Sequence, residues 1–200
     1  MAYRKTEKVL ANLEARRNSI LASAIDVIAR SGMEGLTTDA VAERAGVATG
    51  LMYKYFPDKA ELIAAVVAHL LARDLAAIRD AAQAEKDPLH ALAVGVAVFF
   101  GRLDNAHLVR ALSGAPVYQL GIRGELERLI RAAGLDLAPK ARTLAAAGVV
   151  GALYGFFGVS GTSKNAAPPA ILFVLRGLGV SDATARKVLA RMYGQAMVPA

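Results

Sequence analysis

Residues 37–62 read Thr-Thr-Asp-Ala-Val-Ala-Glu-Arg-Ala-Gly-Val-Ala-Thr-Gly-Leu-Met-Tyr-Lys-Tyr-Phe-Pro-Asp-Lys-Ala-Glu-Leu, and no other stretch limits the fold as tightly. Thr37 or Thr38 supplies a helix cap, and Val41, Ala42 and Ala45 form an inward face behind it. Gly46 is placed to end that helix in the left-handed conformation. A second short helix follows over roughly Thr49–Phe56, with Tyr53, Lys54 and Tyr55 in a row. Pro57 closes it, and Asp58 caps a long helix running from Lys59 to about Asp80. Two short helices joined by a glycine turn are a way to offer the second one to the DNA major groove.

Composition agrees with a helical chain. Of 200 residues, 55% are hydrophobic and 20% charged, which is globular and not disordered. The apolar content is chiefly alanine, leucine and valine with 6% aromatics, and alternating strand-like runs are scarce, so the expected class is all-α. With no cysteine, a disulfide framework and thiolate metal sites are excluded. His69, His90 and His107 are far apart and form no ligand-spaced pair. Neither GxSxG nor GxxxxGK[ST] occurs. A protein that is not an enzyme and needs no cofactor or metal is expected. After its first charges the N-terminus has no apolar signal region, which makes a cytoplasmic location the expectation.

The net charge of +7 favours polyanions. Its distribution does not single out the first sixty residues, where nine Lys/Arg face seven Asp/Glu. The local arrangement therefore has to identify a DNA-binding face. In a basic N-terminal arm Arg4, Lys5, Lys8, Arg16 and Arg17 outweigh Glu7 and Glu14; Arg4, Lys5 and Lys8 suit minor-groove or backbone contacts, and Arg16 and Arg17 are equally a solvated face or a DNA contact.

Before and after this region, further helices are predicted. Ile20, Leu21, Ala24, Ile25, Val27 and Ile28 mark one face of a helix over 18–31, stopped at Gly32. Helices are expected near 88–104, with an apolar middle from Ala91 to Phe100, and over 106–113. Gly114, Pro116 and Gly121 suggest a loop before a helix at 123–133. Others follow at about 139–160 and 168–178, and from Ser181 through Met192, with a polar loop from Ser160 to Ala167. Twenty-one uncharged residues separate Arg142 from Lys164, long enough for a membrane span, with Gly151 and Gly155 in GxxxG spacing. The many glycines and alanines dilute that hydrophobicity, so a buried helix is the expectation and a membrane-tethered protein the competing one.

The segment from Arg16 to Val66 resembles the N-terminal domain of TetR-type transcriptional regulators. The landmarks are Ser31-Gly32, Gly35-Leu36-Thr37-Thr38, Val41 to Val47, and Gly50 to Leu62. The resemblance implies a helix-turn-helix DNA-binding domain over 1–60 joined to a larger helical effector-binding and dimerisation domain over 61–200. It places Thr38, Tyr53, Tyr55 and Lys59 against phosphates, and Thr49, Gly50 and Leu51 at base edges. Lys54 touches backbone or a guanine. Two departures stand out. Asp39 occupies a place where the family often has a basic or neutral side chain. Ala48-Thr49-Gly50-Leu51 opens the recognition helix where a serine and a longer polar residue are common. Thymine methyl contacts and DNA shape then carry more of the readout.

By the same analogy the protein is a homodimer paired through helices 139–160 and 168–178, and is most simply a repressor. A small, largely apolar effector releases it from a pseudo-palindromic operator. Candidate effector contacts beside helix 88–104 are Phe99, Arg102, Leu103, His107, Tyr118 and Tyr154. Plain core packing and a surface pair of Arg102 with Asp104 are the competing explanations for that cluster. The weak readout residues Ala48 and Gly50 keep open a second possibility, a helical small-molecule sensor with weak or lost DNA binding.

Overall fold

The computed structural model describes residues 2–160 and 166–195. These form helices and connections, with no strand among the described residues. In order they are α1 (Ala2–Ser31), α2 (Thr38–Ala45), α3 (Thr49–Tyr55), α4 (Lys59–Gln83) and α5 (Pro88–Arg102). Then come α6 (Ala106–Ser113), α7 (Pro116–Ala132), α8 (Pro139–Ser160), α9 (Ala167–Gly177) and α10 (Asp182–Tyr193). The chain divides into two compact units, Met1–Leu70 and Leu71–Ala200.

The division falls inside α4, ten residues beyond the expected boundary. Leu62, Val66 and Leu70 recur every fourth residue on α4 and are all buried, so its first three turns complete the N-terminal core. Each such side chain, fully buried, contributes about 1.5–3 kcal/mol. Ile20, Leu21, Ala24, Val27 and Ile28 of α1 are buried in the same unit with Leu36, Val41, Met52 and Phe56, while Ile25 is half-buried.

α1 corrects one expectation. It starts at Ala2 and runs for 30 residues, so the stretch read as a basic arm is helical. From residue 7 to residue 19 this extension is exposed, and Val9, Leu10 and Leu13 show large apolar side chains on it. The absence of a buried stripe there is why the sequence suggested a start near residue 18. The side chains of Arg4 and Lys5 lie outside the described residues.

Within the C-terminal unit, α7 packs on α8 and α5, and α9 packs on α10, α5 and α8. The apolar middle of α5 is largely buried, as expected. α7 is the second correction: the predicted loop over 114–122 shrinks to Gly114 and Ala115. Pro116 opens the helix at its first turn, where its missing N–H costs nothing. Gly121 lies within α7, and a Cβ there would meet the Leu71 side chain at 2.6 Å, so this glycine marks close packing and not a turn.

α8 is the one described helix long and apolar enough to cross a membrane. Here it packs against α7 and α9. Residues 161–165, expected as a polar loop, lie outside the described residues, as does the end of the twenty-one-residue uncharged run.

Candidate functional site

The turn between α2 and α3 forms for identifiable reasons. The Thr37 side chain accepts from the Ala40 N–H at 3.1 Å, which settles the choice of cap and leaves Thr38 as the first helical residue. At the other end Gly46 takes φ 65° and ψ 35°, and its N–H and that of Val47 return to carbonyls of α2. A side chain at that φ is strained, so the chain reverses where only glycine is at ease.

α3 is then fixed at both ends. The Thr49 hydroxyl donates to an Asp39 carboxylate oxygen at 3.0 Å, tying its first residue to α2. At its C-terminal end Phe56 is buried, and the Arg17 guanidinium of α1 lies 5.2 Å from the centre of its ring. Met52 is fully buried between these anchors. Arg44 of α2 donates to Asp26 of α1 at 2.5 Å, and Arg30 bonds the same carboxylate at 3.0 Å. Burial works to raise Asp26, but the bonds from Arg30 and Arg44 outweigh it and hold the carboxyl below its ordinary range.

This frame leaves the residues named from the sequence at least partly at the surface. Gly50, Tyr53, Lys54 and Lys59 are exposed; Thr38, Thr49, Leu51 and Tyr55 are half-exposed; none is buried. Tyr53 keeps 53% of its surface accessible despite its size. No Cβ at Gly50 would meet anything within 4 Å, so the surface is open there. Tyr55 departs from the simple picture, because it lines a groove of about 610 Å³ with Val9, Leu13 and Arg16 of α1. Asp39 departs too. Its carboxylate, unexpected near phosphate, holds the first residue of α3 in place.

The C-terminal unit gathers some of the residues suggested for an effector and leaves others apart. Tyr118 is buried and its hydroxyl donates to Asp74 at 2.7 Å. Burial first, and the Asp74 charge next, push that phenol far above its ordinary value. Asp74 also meets Arg73 at 2.9 Å and Arg102 at 3.6 Å. Phe99 is buried with its ring edge-on to Tyr154, centroids 6.1 Å apart. Gln119 donates to the Tyr154 hydroxyl at 3.1 Å. Of the suggested residues, Arg102 and Tyr118 thus meet at the buried Asp74, while Phe99 and Tyr154 form a ring pair held by Gln119. Leu103 is buried at the end of α5, and His107 is exposed on α6, its backbone N–H donating to the Asn105 side chain.

Sequence reasoning missed Asp74, the centre of that cluster. A signal was present: Asp74 interrupts the series Leu62, Val66, Leu70, Ile78, Ala82 at its own four-residue interval. An acid on an otherwise apolar stripe must be buried with partners. Glu125 is a second buried acid, bonded by Arg79 at 2.8 Å and by Arg128 at 2.6 Å. Burial acts to raise it, and those two arginines overcome that effect to hold it below its ordinary value. Among the described residues no cluster of acidic or histidine side chains is arranged to hold a metal ion.

The outer side of α8 carries Leu144, Gly148, Gly151 and Gly155, all exposed, and Leu144 keeps 67% of its surface accessible. A Cβ at any of the three glycines would meet nothing within 4 Å. The neighbouring groove of about 350 Å³ is apolar, with Ala152, Val174 and the exposed Phe173 on its walls.

Comparison with known proteins bears on this geometry. The sequence profile described as "Bacterial regulatory proteins, tetR family" matches residues 20–66, which hold the core of α1 through the first turns of α4. The chain is 38% identical over 89 residues to the HTH-type transcriptional regulator BetI of Burkholderia cenocepacia, covering 44% of this chain and 45% of that one. It is 31% identical over 136 residues to the HTH-type transcriptional regulator RutR of Escherichia coli, covering 64% and 63%. The match thus spans about half of these curated relatives' length. Among solved structures, that of RolR in complex with resorcinol superposes with a TM-score of 0.65 at 22% identity, over 91% of this chain and 96% of that one. The N-terminal profile match, the regulator relatives and a fold shared along nearly the whole chain agree, and residues 20–66 form a domain of the tetR family of bacterial regulatory proteins.

Proposed function

We propose that the protein is a homodimeric, ligand-responsive repressor whose two α3 helices enter successive major grooves of a pseudo-palindromic operator. The observation that carries this reading is the α3 surface. A helix anchored at Thr49 and Phe56 leaves Gly50, Tyr53 and Lys54 pointing at solvent, with Lys59 exposed at the start of α4. Such a face serves no internal packing, and it combines cationic, hydroxyl and small-residue contacts suited to a duplex.

In this reading Tyr53, Tyr55, Lys59 and Thr38 contact phosphates, while Thr49, Gly50 and Leu51 lie at base edges. Lys54 serves the backbone. The Thr49 hydroxyl already donates to Asp39, so its methyl group is what remains for a thymine. Specificity then leans on the shape of the duplex.

Pairing of two copies uses α8 and α9. The open space over Gly148, Gly151 and Gly155 supports this, since the protomer's own packing does not require glycine at any of them. A partner helix approaching closely does. The effector binds in the C-terminal unit near Phe99, Arg102, Leu103, His107, Tyr118 and Tyr154. It lowers operator affinity only to the extent that it prefers the conformation that DNA disfavours.

The test is fluorescence anisotropy with DNA from upstream of the protein's own coding sequence, titrated at several salt concentrations. Saturable binding that weakens steeply with salt and exceeds binding to scrambled DNA supports the reading. Equal, weak binding to both DNAs favours instead a helical sensor that has lost its operator.

A further inference from the structure

A cavity of about 250 Å³ opens on the C-terminal unit between α7 and α8, beside the end of α6. Ala147, Val150 and Gly151, the last on the face proposed for pairing, give it apolar walls; Ser113, Gln119, Arg123 and Tyr154 give it polar ones. Two of the four have their donors committed. Ser113 donates to the Arg110 carbonyl at 3.0 Å, and the Gln119 amide donates to the Leu112 carbonyl at 3.2 Å and to the Tyr154 oxygen at 3.1 Å. The Tyr154 oxygen therefore accepts, and its own proton has no acceptor among the described residues. Burial pushes the phenol upward, opposed by the Gln119 bond, and the group stays protonated at neutral pH.

Arg123 is the other uncommitted donor. No carboxylate among the described residues pairs with it. Glu127, one turn along α7, accepts from Thr143 at 3.2 Å and lies 3.9 Å from Arg131. Glu125 is held by Arg79 and Arg128. Residues 105–124 and 139–160, which include every wall of the cavity, contain no Asp or Glu at all. Asp74 is the one nearby acid whose charge reaches Tyr154, and Arg73, Arg102 and the Tyr118 hydroxyl already surround it.

A cavity with two free donors, a net positive lining and hydrocarbon walls selects for an anion with an apolar body. At about 250 Å³ it falls below the roughly 300–1,000 Å³ of sites for drug-sized ligands, so the occupant is small. Arginine offers a planar fork matched to a carboxylate, and the phenol adds a further charge-assisted bond. We propose that this cavity binds a small aromatic or branched-chain carboxylate, its anionic end on Arg123 and Tyr154 and its hydrocarbon on Ala147 and Val150. The inference deepens the effector reading above by giving the ligand a chemical class, and rests on that reading only for what binding does at DNA.

The experiment is calorimetric titration of the full chain, without DNA, using sodium benzoate, sodium cyclohexanecarboxylate and the uncharged benzamide. Saturable binding of at least one acid is expected, with at least about tenfold preference for benzoate over benzamide. Arg123→Gln should weaken acid binding about tenfold or more, and Tyr154→Phe by several-fold, while neither changes the affinity for benzamide. Equal binding of benzoate and benzamide, undiminished benzoate binding in Arg123→Gln, or no saturable heat from either acid in the millimolar range overturns the proposal. The acid-to-amide ratio is read on the parent protein, so it decides even if a variant fails to fold. Operator release is measured separately. Benzoate that binds without releasing DNA counts against the effector reading and leaves the site standing; release by another compound with no acid binding does the reverse.

Discussion

The hydroxyl of Thr49, the first residue of α3, donates to the carboxylate of Asp39 on α2 at 3.0 Å across the turn at Gly46. This bond turns an acid that opposes phosphate into a positioning group for the helix meant to meet DNA.

The two roles of Asp39 separate by substitution. Asp39→Asn keeps an acceptor for Thr49 and removes the charge, so operator affinity should rise by up to about fivefold, the worth of one unit charge at ~4 Å in water. Asp39→Ala removes both, and the gain from lost repulsion should be offset by a less ordered α3. Anisotropy titrations of the three proteins check the order, with Asn highest.

Tyr53 and Lys59 are exposed and unpaired among the described residues, as phosphate contacts should be. The double variant Tyr53→Phe, Lys59→Ala should weaken binding to all sequences alike. It should also flatten the dependence of log affinity on log salt by about one unit, for the one cation removed. An unchanged slope removes Lys59 from the phosphate contacts.

Gly151 has open space where a Cβ would stand, so Gly151→Leu fits the isolated protomer. In the proposed pairing of α8 it intrudes on the partner. Sedimentation velocity should show a shift from dimer toward monomer. A dimer of ordinary stability places the interface elsewhere.

Tyr118 gives its proton to a buried carboxylate, so Tyr118→Phe leaves Asp74 short of one partner. A bond of this type is worth about 1.5–3 kcal/mol, and chemical denaturation should show a loss of that size. A loss much below it means that Arg73 and Arg102 satisfy Asp74 between them.

Acid should destabilise the protein through Asp26, Glu125 and Asp182. In each, bonds from arginines hold the folded-state carboxyl below its ordinary value, on Asp182 those of Arg186 and Arg176. A depressed carboxyl contributes stability that is fully present above the unfolded-state value. That contribution is lost as pH falls through the folded-state value. Thermal midpoints should be flat down to mildly acidic pH and drop below the ordinary carboxylate range, and Glu125→Gln should reduce the steepness of that drop.

Much of this architecture was legible because local chemistry and the global fold agree. The caps at Thr37, Asp58 and Ser181 and the stop at Gly46 each leave a polar or glycine signature that needs no tertiary information. The exposed set Gly50, Tyr53, Lys54 and Lys59 was readable for the same reason. Where long-range packing decides, the sequence was silent or misleading. Gly121 reads as a breaker, but it lies inside a helix where the side chain of Leu71, fifty residues earlier, packs closely over it. Tyr118 consequently looked like a loop residue and is a buried one. The start of α1 was hidden because an exposed helical extension carries no apolar periodicity against a core.

The central claim is that the outward face of α3 reads DNA, and hydroxyl-radical footprinting on the upstream DNA tests it most directly. The account predicts two protected patches on one side of the duplex, about one helical turn or a whole number of turns apart, abolished by Lys54→Ala combined with Tyr53→Ala. A protected region that survives that double substitution, or protection without two-fold symmetry, would contradict it.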